Sequence, residues 1–269
     1  MKKLVSIMSL LLALTLVLAA CGSNTNNEGK KSATTDFYDT VKKEGVLKVG
    51  TEGTYPPFTF HDQSNKLTGF DIDIATEVAK RLGVKVEFKE TQWDGMFAGL
   101  DAKRFDMIAN QVGIQPERQK KYDFSDPYIE SGAVLIVNKD NNEIKSFADI
   151  KGKKAAQSLT SNYGKLAQKN GANIEGVEGF TQAISLIQSN RVDATINDKL
   201  SFLDYKKTHS NAPIKIVDSE SNLSQSGLMF RKGSDKLVEA VDKALNDMKS
   251  DGTYAKISNK WFGEDVSPK

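Results

Sequence analysis

Two oppositely charged residues, Arg118 and Asp198, lie close to strand-like segments in different halves of the chain. A guanidinium group presents a planar fork that suits a carboxylate, and an aspartate can pair with an ammonium group. A ligand that carries both groups loses its hydration in a closing cleft, which is tolerable only if each charge meets an opposite charge. The pair therefore predicts a site for a small zwitterion. Two alternatives stay open, because Arg118 belongs to the basic run "ERQKK", typical of a solvated face, and Asp198 precedes a helix as an N-cap would.

Aromatic and amide side chains at the ends of predicted strands could complete this site. Tyr55 follows the first strand, and Trp93 opens the helix after the next one. Both rings can sandwich a ligand, although residues of these types are more often part of a core. Asn110 and Gln111 end a strand in the first half, where neutral amides can satisfy polar groups of either kind.

A second polar group begins a predicted helix in the other half of the chain, at Thr160, Ser161 and Asn162. The free N–H groups of a helix start attract a carboxylate. Asn162 is the residue expected to contact a ligand through its side chain. Ser161 could instead be a plain N-cap.

Catalytic constellations are sparse. His61 and His209 lie far apart, neither H-E-x-x-H nor G-x-S-x-G occurs, and the chain has one cysteine. We therefore expect no metal, no nucleotide, no other cofactor and no enzymatic activity. Two competing classes are an extracellular enzyme that uses Glu52 as an acid–base group, which would change its ligand chemically, and an adhesin, which would bind no small molecule.

The elements that must position these residues alternate between strand and helix. "VLKVGTE", "KVEFKET" and "FDMIANQV" are typical of strands, and "GFDIDIATEVAKRLG" has an apolar stripe at Phe70, Ile74, Val78 and Leu82 beside a capping-type Asp71. After the strand "GAVLIVNK" the alternation begins again with "KKAAQSL". This pattern predicts an α/β fold of two lobes.

The two halves share a pattern that predicts where the site lies. Residues 100–110 can be aligned with residues 187–197, so that each half turns from a helix at an arginine into a strand that ends in polar side chains. Ligands of open α/β sheets bind beyond the carboxyl ends of strands. We expect residues 36–131 and 227–269 to form lobe 1 and residues 132–226 to form lobe 2. The two crossings between the lobes would act as a hinge.

The N-terminus carries a secretion signal. Lys2 and Lys3 precede an apolar run that ends in "LAAC", and this junction resembles the lipobox of bacterial lipoproteins. We therefore expect residues 1–20 to be removed, Cys21 to carry lipid and residues 21–35 to form a flexible tether. Without residues 1–20 the chain has equal numbers of basic and acidic residues, so no basic footprint for nucleic acid is present.

Several motifs, taken in their order along the chain, resemble one family. They are "TYPPF", "GFDIDIATEVAKRL", "FDMIAN", "YDFSDPY", "IKGKKAAQSLTSN" and "DGTYAKISNKWFG". The chain is similar from about Gly45 to Phe262 to the extracellular solute-binding proteins of polar amino acid ABC transporters, most closely to their cystine-binding members. The resemblance implies a bilobal periplasmic-binding-protein fold of type II. It places Arg118, Asp198, Tyr55 and Trp93 in the pocket.

One position departs from the family pattern. Gly113 stands where many relatives carry a serine that grips the ligand carboxylate, so only its backbone could make that contact here.

The resemblance also implies protein partners and a cellular location. We expect a monomeric receptor, anchored by lipid on the outer side of the cell membrane, that delivers an amino acid to an ABC permease powered by an ATPase. Glu52 could attract a basic side chain or the second ammonium group of cystine. The amides of Gln111 and Asn162 and the broad Trp93 ring favour cystine over a basic or other polar amino acid.

Overall fold

The computed structural model describes residues 37–268. Cys21, the signal segment and the whole of the expected tether lie outside these residues. The helices are α1 (Phe37–Glu44), α2 (Phe70–Arg81), α3 (Trp93–Asp101), α4 (Pro116–Gln119), α5 (Asn162–Lys169), α6 (Phe180–Gln188), α7 (Lys199–Thr208), α8 (Asp235–Ser250) and α9 (Thr253–Phe262), with a 3-10 helix at Phe147–Ile150. None of these helices is long and apolar enough to cross a membrane.

The described residues form fifteen strands, ten of them in two five-stranded sheets with the same plan, three in a small sheet and two in a ribbon. They are β1 (Val46–Thr51), β2 (Thr54–Tyr55), β3 (Thr59–His61), β4 (Leu67–Thr68), β5 (Lys85–Glu90), β6 (Met107–Ile108), β7 (Tyr122–Phe124), β8 (Ile129–Ser131), β9 (Ala133–Asn138), β10 (Lys154–Gln157), β11 (Asn173–Gly176), β12 (Ala194–Asp198), β13 (Ile214–Ser219), β14 (Ser224–Ser226) and β15 (Met229–Arg231). The first sheet has the order β5-β1-β6-β15-β7 and the second the order β11-β10-β12-β9-β13. In each sheet three strands are parallel, and the fourth and fifth complete the sheet in antiparallel pairs.

The repeat predicted from residues 100–110 and 187–197 corresponds to a repeated set of hydrogen bonds. Asp106 accepts the backbone N–H of Lys48 at the start of β1, at 3.1 Å. Asp193 accepts the backbone N–H of Lys154 at the start of β10, at 2.8 Å. β6 and β12 are therefore equivalent strands. β6 is shorter than the run "FDMIANQV" predicts, because only Met107 and Ile108 pair with neighbouring strands on both sides.

The apolar stripe of α2 is buried as its spacing predicts, and its residues join the core of the first lobe. The apolar face of α8, which includes Leu237, Val241 and Leu245, packs into the same core. The chain therefore returns to the first lobe, as β15 also shows by pairing with β6 and β7.

Two short strands accompany the crossings between the lobes. β8 pairs with β14 in an antiparallel ribbon, with Ser131 opposite Ser224 and Ile129 opposite Ser226. The chain passes from the first sheet to the second after β8, and back after β14. This arrangement is the two-segment hinge expected of the fold.

Candidate functional site

The carboxyl ends of strands from both sheets face one cleft, which holds about 540 Å³ of empty space, part of it open to solvent. Of the predicted site residues, seven line this cleft: Glu52, Tyr55, Trp93, Asn110, Gln111, Ser161 and Asn162. Arg118, Asp198, Gly113 and Thr160 lie around it and contact other residues of the site. The cleft joins side chains from both lobes, as the strand-end rule for α/β sheets predicts.

Arg118 is buried beside the cleft and keeps part of its hydrogen-bonding capacity unused. It is 6% exposed, so it does not belong to a solvated face. Its Nη1 donates to the carbonyl of Gly113 at 3.0 Å, and its guanidinium lies over the rings of Trp93 and Phe97, at 5.4 and 5.3 Å from their centroids. Nη2 has no partner, and burial lowers the pKa of the group to about 10. A buried cationic donor without a partner is suited to an anionic ligand group.

Asp198 is buried at the opposite side of the site. It is 1% exposed and caps α7 by accepting the backbone N–H of Leu200 at 2.8 Å. Its carboxylate also accepts bonds from the Ser131 hydroxyl at 2.9 Å, the Gln111 amide at 2.7 Å and the Tyr163 hydroxyl at 3.1 Å. Burial raises its pKa. The capping role and a role toward a ligand ammonium group are compatible, because the donors at Oδ2 belong to side chains that can rotate.

Hydrogen bonds join the two lobes across the cleft. The Tyr55 hydroxyl lies 3.0 Å from Gln111 Oε1 in its own lobe and 2.9 Å from Asn197 Oδ1 in the other. At the mouth, the Thr160 backbone N–H and hydroxyl donate to Asp94 Oδ1, at 3.0 and 2.6 Å. These bonds describe a closed arrangement, with Thr160 at the rim rather than in the lining.

Glu52 and Asn110 form a reciprocal pair at the end of β1. Asn110 Nδ2 donates to Glu52 Oε2 at 2.6 Å, and the Glu52 backbone N–H donates to Asn110 Oδ1 at 2.8 Å. Burial raises the pKa of Glu52 to about 7, although the bonds from Asn110 and from the Trp93 backbone oppose the shift. Asn110 therefore orients the Glu52 carboxyl group through two hydrogen bonds.

The start of α5 behaves as its capping sequence predicts. Ser161 is the N-cap, and its hydroxyl accepts the backbone N–H of Gly164 at 2.9 Å. Asn162 of the other lobe lies near Gly113. A Cβ added at Gly113 would be 3.9 Å from Asn162 Nδ2 and 3.6 Å from Arg118 Nη1. These are ordinary contact distances, so the missing side chain of Gly113 leaves space between the two donors.

Several residues in and around the site were not predicted from the sequence, and Tyr163 and Asp71 have the most direct contacts with the predicted residues. Tyr163 lines the cleft and bonds to Asp198, and its position in the first turn of α5 is the only sequence signal that could have indicated it. Asp71 was interpreted as a helix cap, and this is wrong, since α2 has no side-chain cap. Its carboxylate instead accepts the backbone N–H of Gln111 at 2.6 Å and the Tyr128 hydroxyl at 2.7 Å.

Comparison with known proteins identifies the family. Residues 47–264 match the family described as bacterial extracellular solute-binding proteins, family 3. The chain belongs to this family. The chain is 59% identical over 252 residues to the L-cystine-binding protein TcyA of Bacillus subtilis, which covers 93% of this chain and 94% of the relative. It is 41% identical over 241 residues to the L-cystine-binding protein TcyJ of Escherichia coli, covering 88% and 90%.

Solved structures of amino-acid-binding proteins share the fold of this solute-binding protein. An ancestral arginine-binding protein bound to arginine matches with a TM-score of 0.77 at 44% identity, covering 81% of this chain and 99% of the other. The L-cystine solute receptor of Neisseria gonorrhoeae, unliganded and open, has the higher identity of 51% but a TM-score of only 0.59, covering 87% and 100%. The structure with the higher sequence identity therefore has the lower TM-score. This agrees with the interlobe hydrogen bonds, because a closed bilobal protein superposes poorly on an open one.

The matched relatives are solute-binding receptors of ABC transporters rather than enzymes. Among residues 37–268, no group of three His, Cys, Asp or Glu side chains is arranged to hold a metal ion.

Proposed function

We propose that this solute-binding protein is an extracellular receptor that closes on L-cystine and delivers it to an ABC permease driven by an ATPase. The observation that carries the ligand assignment is the presence of three ionisable groups around one cleft: Arg118, Asp198 and Glu52. The first two suit the carboxylate and ammonium group of one amino acid head. Glu52 suits a second ammonium group. Relatives named as cystine-binding proteins support the same choice.

The neutral donors of the cleft fit the remaining groups of cystine. The amide of Asn162 lies near the space left by Gly113. A second carboxylate can be met by such an amide or by backbone N–H groups without a second arginine. The Trp93 and Tyr55 rings provide apolar surface for the disulfide-linked chain. Cystine therefore satisfies more of the lining groups than an amino acid with one head does.

Competition binding tests this assignment. Labelled L-cystine bound to the full chain should be displaced by unlabelled cystine and only poorly by excess arginine, histidine or glutamine. A thermal-shift series with the twenty common amino acids and cystine should give its largest rise with cystine, since a ligand that binds only the native state raises the midpoint. Arginine binding at least as tight as cystine would contradict the cystine assignment and leave an amino-acid receptor.

A basic amino acid is the second candidate, and Glu52 is the observation that favours it. Its carboxylate could pair with a guanidinium or ammonium group at the end of a side chain. An arginine-bound ancestral protein is among the structures with the same fold. The competition series separates the two candidates directly.

The raised pKa of Glu52 predicts a pH dependence of binding. In the free protein Glu52 has a pKa of about 7, and an ammonium group placed against it would favour the ionised form and lower that pKa. Below pH 7 binding must therefore release a proton, so affinity should increase from about pH 5.5 to pH 7, by at most about tenfold per pH unit for one group. Calorimetry in buffers of different ionisation enthalpy measures both the affinity and the released proton.

Two variants show whether Glu52 is the group that causes the pH dependence of binding. Glu52→Gln should reduce the pH slope and the proton release, while Glu239→Gln, which changes an exposed carboxylate on α8, should leave both unchanged. An undiminished slope in Glu52→Gln would place the titration elsewhere.

We also propose that Cys21 carries the lipid that holds this receptor, as a monomer, on the outer face of the cell membrane. The "LAAC" junction after an apolar run supports this assignment. Cys21→Ala should release the folded protein into the medium or the soluble fraction, with its cystine affinity unchanged. Fractionation after a high-salt wash measures this, and a variant that stays with the membrane contradicts the anchor.

A further inference from the structure

Gln111 occupies the centre of the closed cleft in an unusual backbone conformation. Its φ is +47°, in the left-handed region that residues other than glycine seldom adopt. From this position its side-chain amide reaches both Tyr55 in its own lobe and Asp198 in the other. A backbone held in a sparsely populated region needs surrounding contacts that fix it.

A buried carboxylate supplies the main fixing contact. Asp71 is 0% exposed, and its Oδ2 accepts the backbone N–H of Gln111 at 2.6 Å. Its Oδ1 accepts the hydroxyl of Tyr128, which is itself fully buried and stacks on Phe70 at 5.9 Å between ring centroids. Both oxygens of the carboxylate are therefore hydrogen-bonded, and the group cannot turn away from Gln111 without breaking the bond to Tyr128.

The remaining contact to the Gln111 backbone is weaker. Its carbonyl accepts the Ser226 hydroxyl at 3.3 Å. Ser226 belongs to β14, one of the two strands at the crossing between the lobes. The Gln111 peptide is thus held between α2 on one side and the hinge ribbon on the other.

We propose that Asp71 is a positioning residue of the binding site, whose carboxylate fixes the left-handed backbone of Gln111 and thereby places the Gln111 amide between Tyr55 and Asp198. The inference rests on the proposed function for its binding readout. Asp71 does not line the cleft. It acts on binding through the direction in which the Gln111 side chain leaves the backbone.

The hydrogen bond between the Asp71 carboxylate and the Gln111 N–H decides which variants are informative. Asp71→Leu has a similar shape but no acceptor, so the Gln111 N–H would lose its partner and the backbone could relax. Asp71→Asn keeps one oxygen that can accept this N–H, while its NH₂ group can donate to the Tyr128 hydroxyl oxygen. Ser258→Ala removes buried hydrogen bonds elsewhere in the same lobe, to the Glu264 carbonyl and from the Val266 N–H, and is the matched control.

Titration of the full chain with L-cystine should separate these variants. Asp71→Leu should weaken binding at least tenfold, whereas Asp71→Asn and the control Ser258→Ala should stay within about threefold of the unmodified protein. Equal affinities for Asp71→Leu and the unmodified protein would overturn the proposal.

A double-mutant cycle with Gln111→Gly distinguishes positioning from a merely structural role. Glycine adopts the left-handed conformation without strain and has no amide to place. In the Gln111→Gly background, Asp71→Leu should therefore change cystine affinity by less than about twofold. A loss as large as in the unmodified background would assign Asp71 to general stability and overturn the proposal.

A ligand-free measurement keeps this inference separate from the proposed function. In the free protein the Gln111 amide should be protected from hydrogen exchange, and Asp71→Leu should remove the protection while Asp71→Asn retains it. If no amino acid binds to the unmodified chain, the proposed function fails and the exchange result alone decides on Asp71. An unprotected Gln111 amide in the unmodified protein would overturn the proposal.

Discussion

Replacing Arg118 with methionine is expected to weaken ligand binding by about 3–5 kcal/mol, roughly a hundred-fold to a few thousand-fold, because the ligand carboxylate would be buried without its opposite charge. The stability of the free protein should respond in the other direction. Within the protein, Arg118 is a buried cation whose Nη2 has no hydrogen-bond partner and whose pKa is lowered by burial. Methionine fills a similar volume without this cost, so the free energy of unfolding should stay unchanged or rise by about 1 kcal/mol.

Calorimetry and chemical denaturation of the same samples measure the two effects. Arg118→Lys keeps the charge but loses the planar fork, and it should recover part of the affinity. Arg191→Met replaces an exposed arginine of the other lobe and is the matched control for the loss of one positive charge. An affinity loss below about tenfold in Arg118→Met would mean that the ligand carboxylate is bound elsewhere.

Asp198→Asn is expected to weaken binding by about 2–4 kcal/mol through the loss of charge alone. Asparagine is as good an N-cap as aspartate, so the bond to Leu200 that begins α7 should persist. The new NH₂ group replaces Oδ2, where the Tyr163 hydroxyl can rotate to accept from it and the Gln111 amide can turn to present its oxygen. Because burial raises the pKa of Asp198, removing its charge relieves a desolvation cost, and stability at neutral pH should change by less than about 1 kcal/mol.

Asp204→Asn is the matched control, because Asp204 lies on the same helix and burial raises its pKa as well. Its affinity for cystine should equal that of the unmodified protein. If Asp198→Asn also binds cystine normally, the ligand ammonium group does not depend on this carboxylate. If Asp198→Asn unfolds far more readily than the control, its contribution is to the hydrogen-bonded cluster and not to the ligand.

Local periodicity and short-range chemistry allow much of this protein to be predicted from its sequence. The apolar spacing of α2 and α8 indicates the faces that are buried. The repeated Arg-x-Asp pattern before β6 and β12 predicts two equivalent lobes, since each aspartate caps the start of a neighbouring parallel strand. The strand ends also indicate Asn110 and Gln111 as cleft residues, because the carboxyl edge of an α/β sheet is where ligands bind.

Only the tertiary structure decides how these side chains are used, because their partners are distant in sequence and no local pattern encodes them. Arg118 is the one member of "ERQKK" that is buried, since the single turn of α4 directs it toward Trp93 and Phe97. Asp71 has the sequence context of a cap but bonds to Gln111, forty residues away. Thr160, at a predicted helix start, instead joins Asp94 at the mouth of the cleft. In each case the sequence determines the element and the residue type, and the packing of one element against another selects the partner and therefore the role.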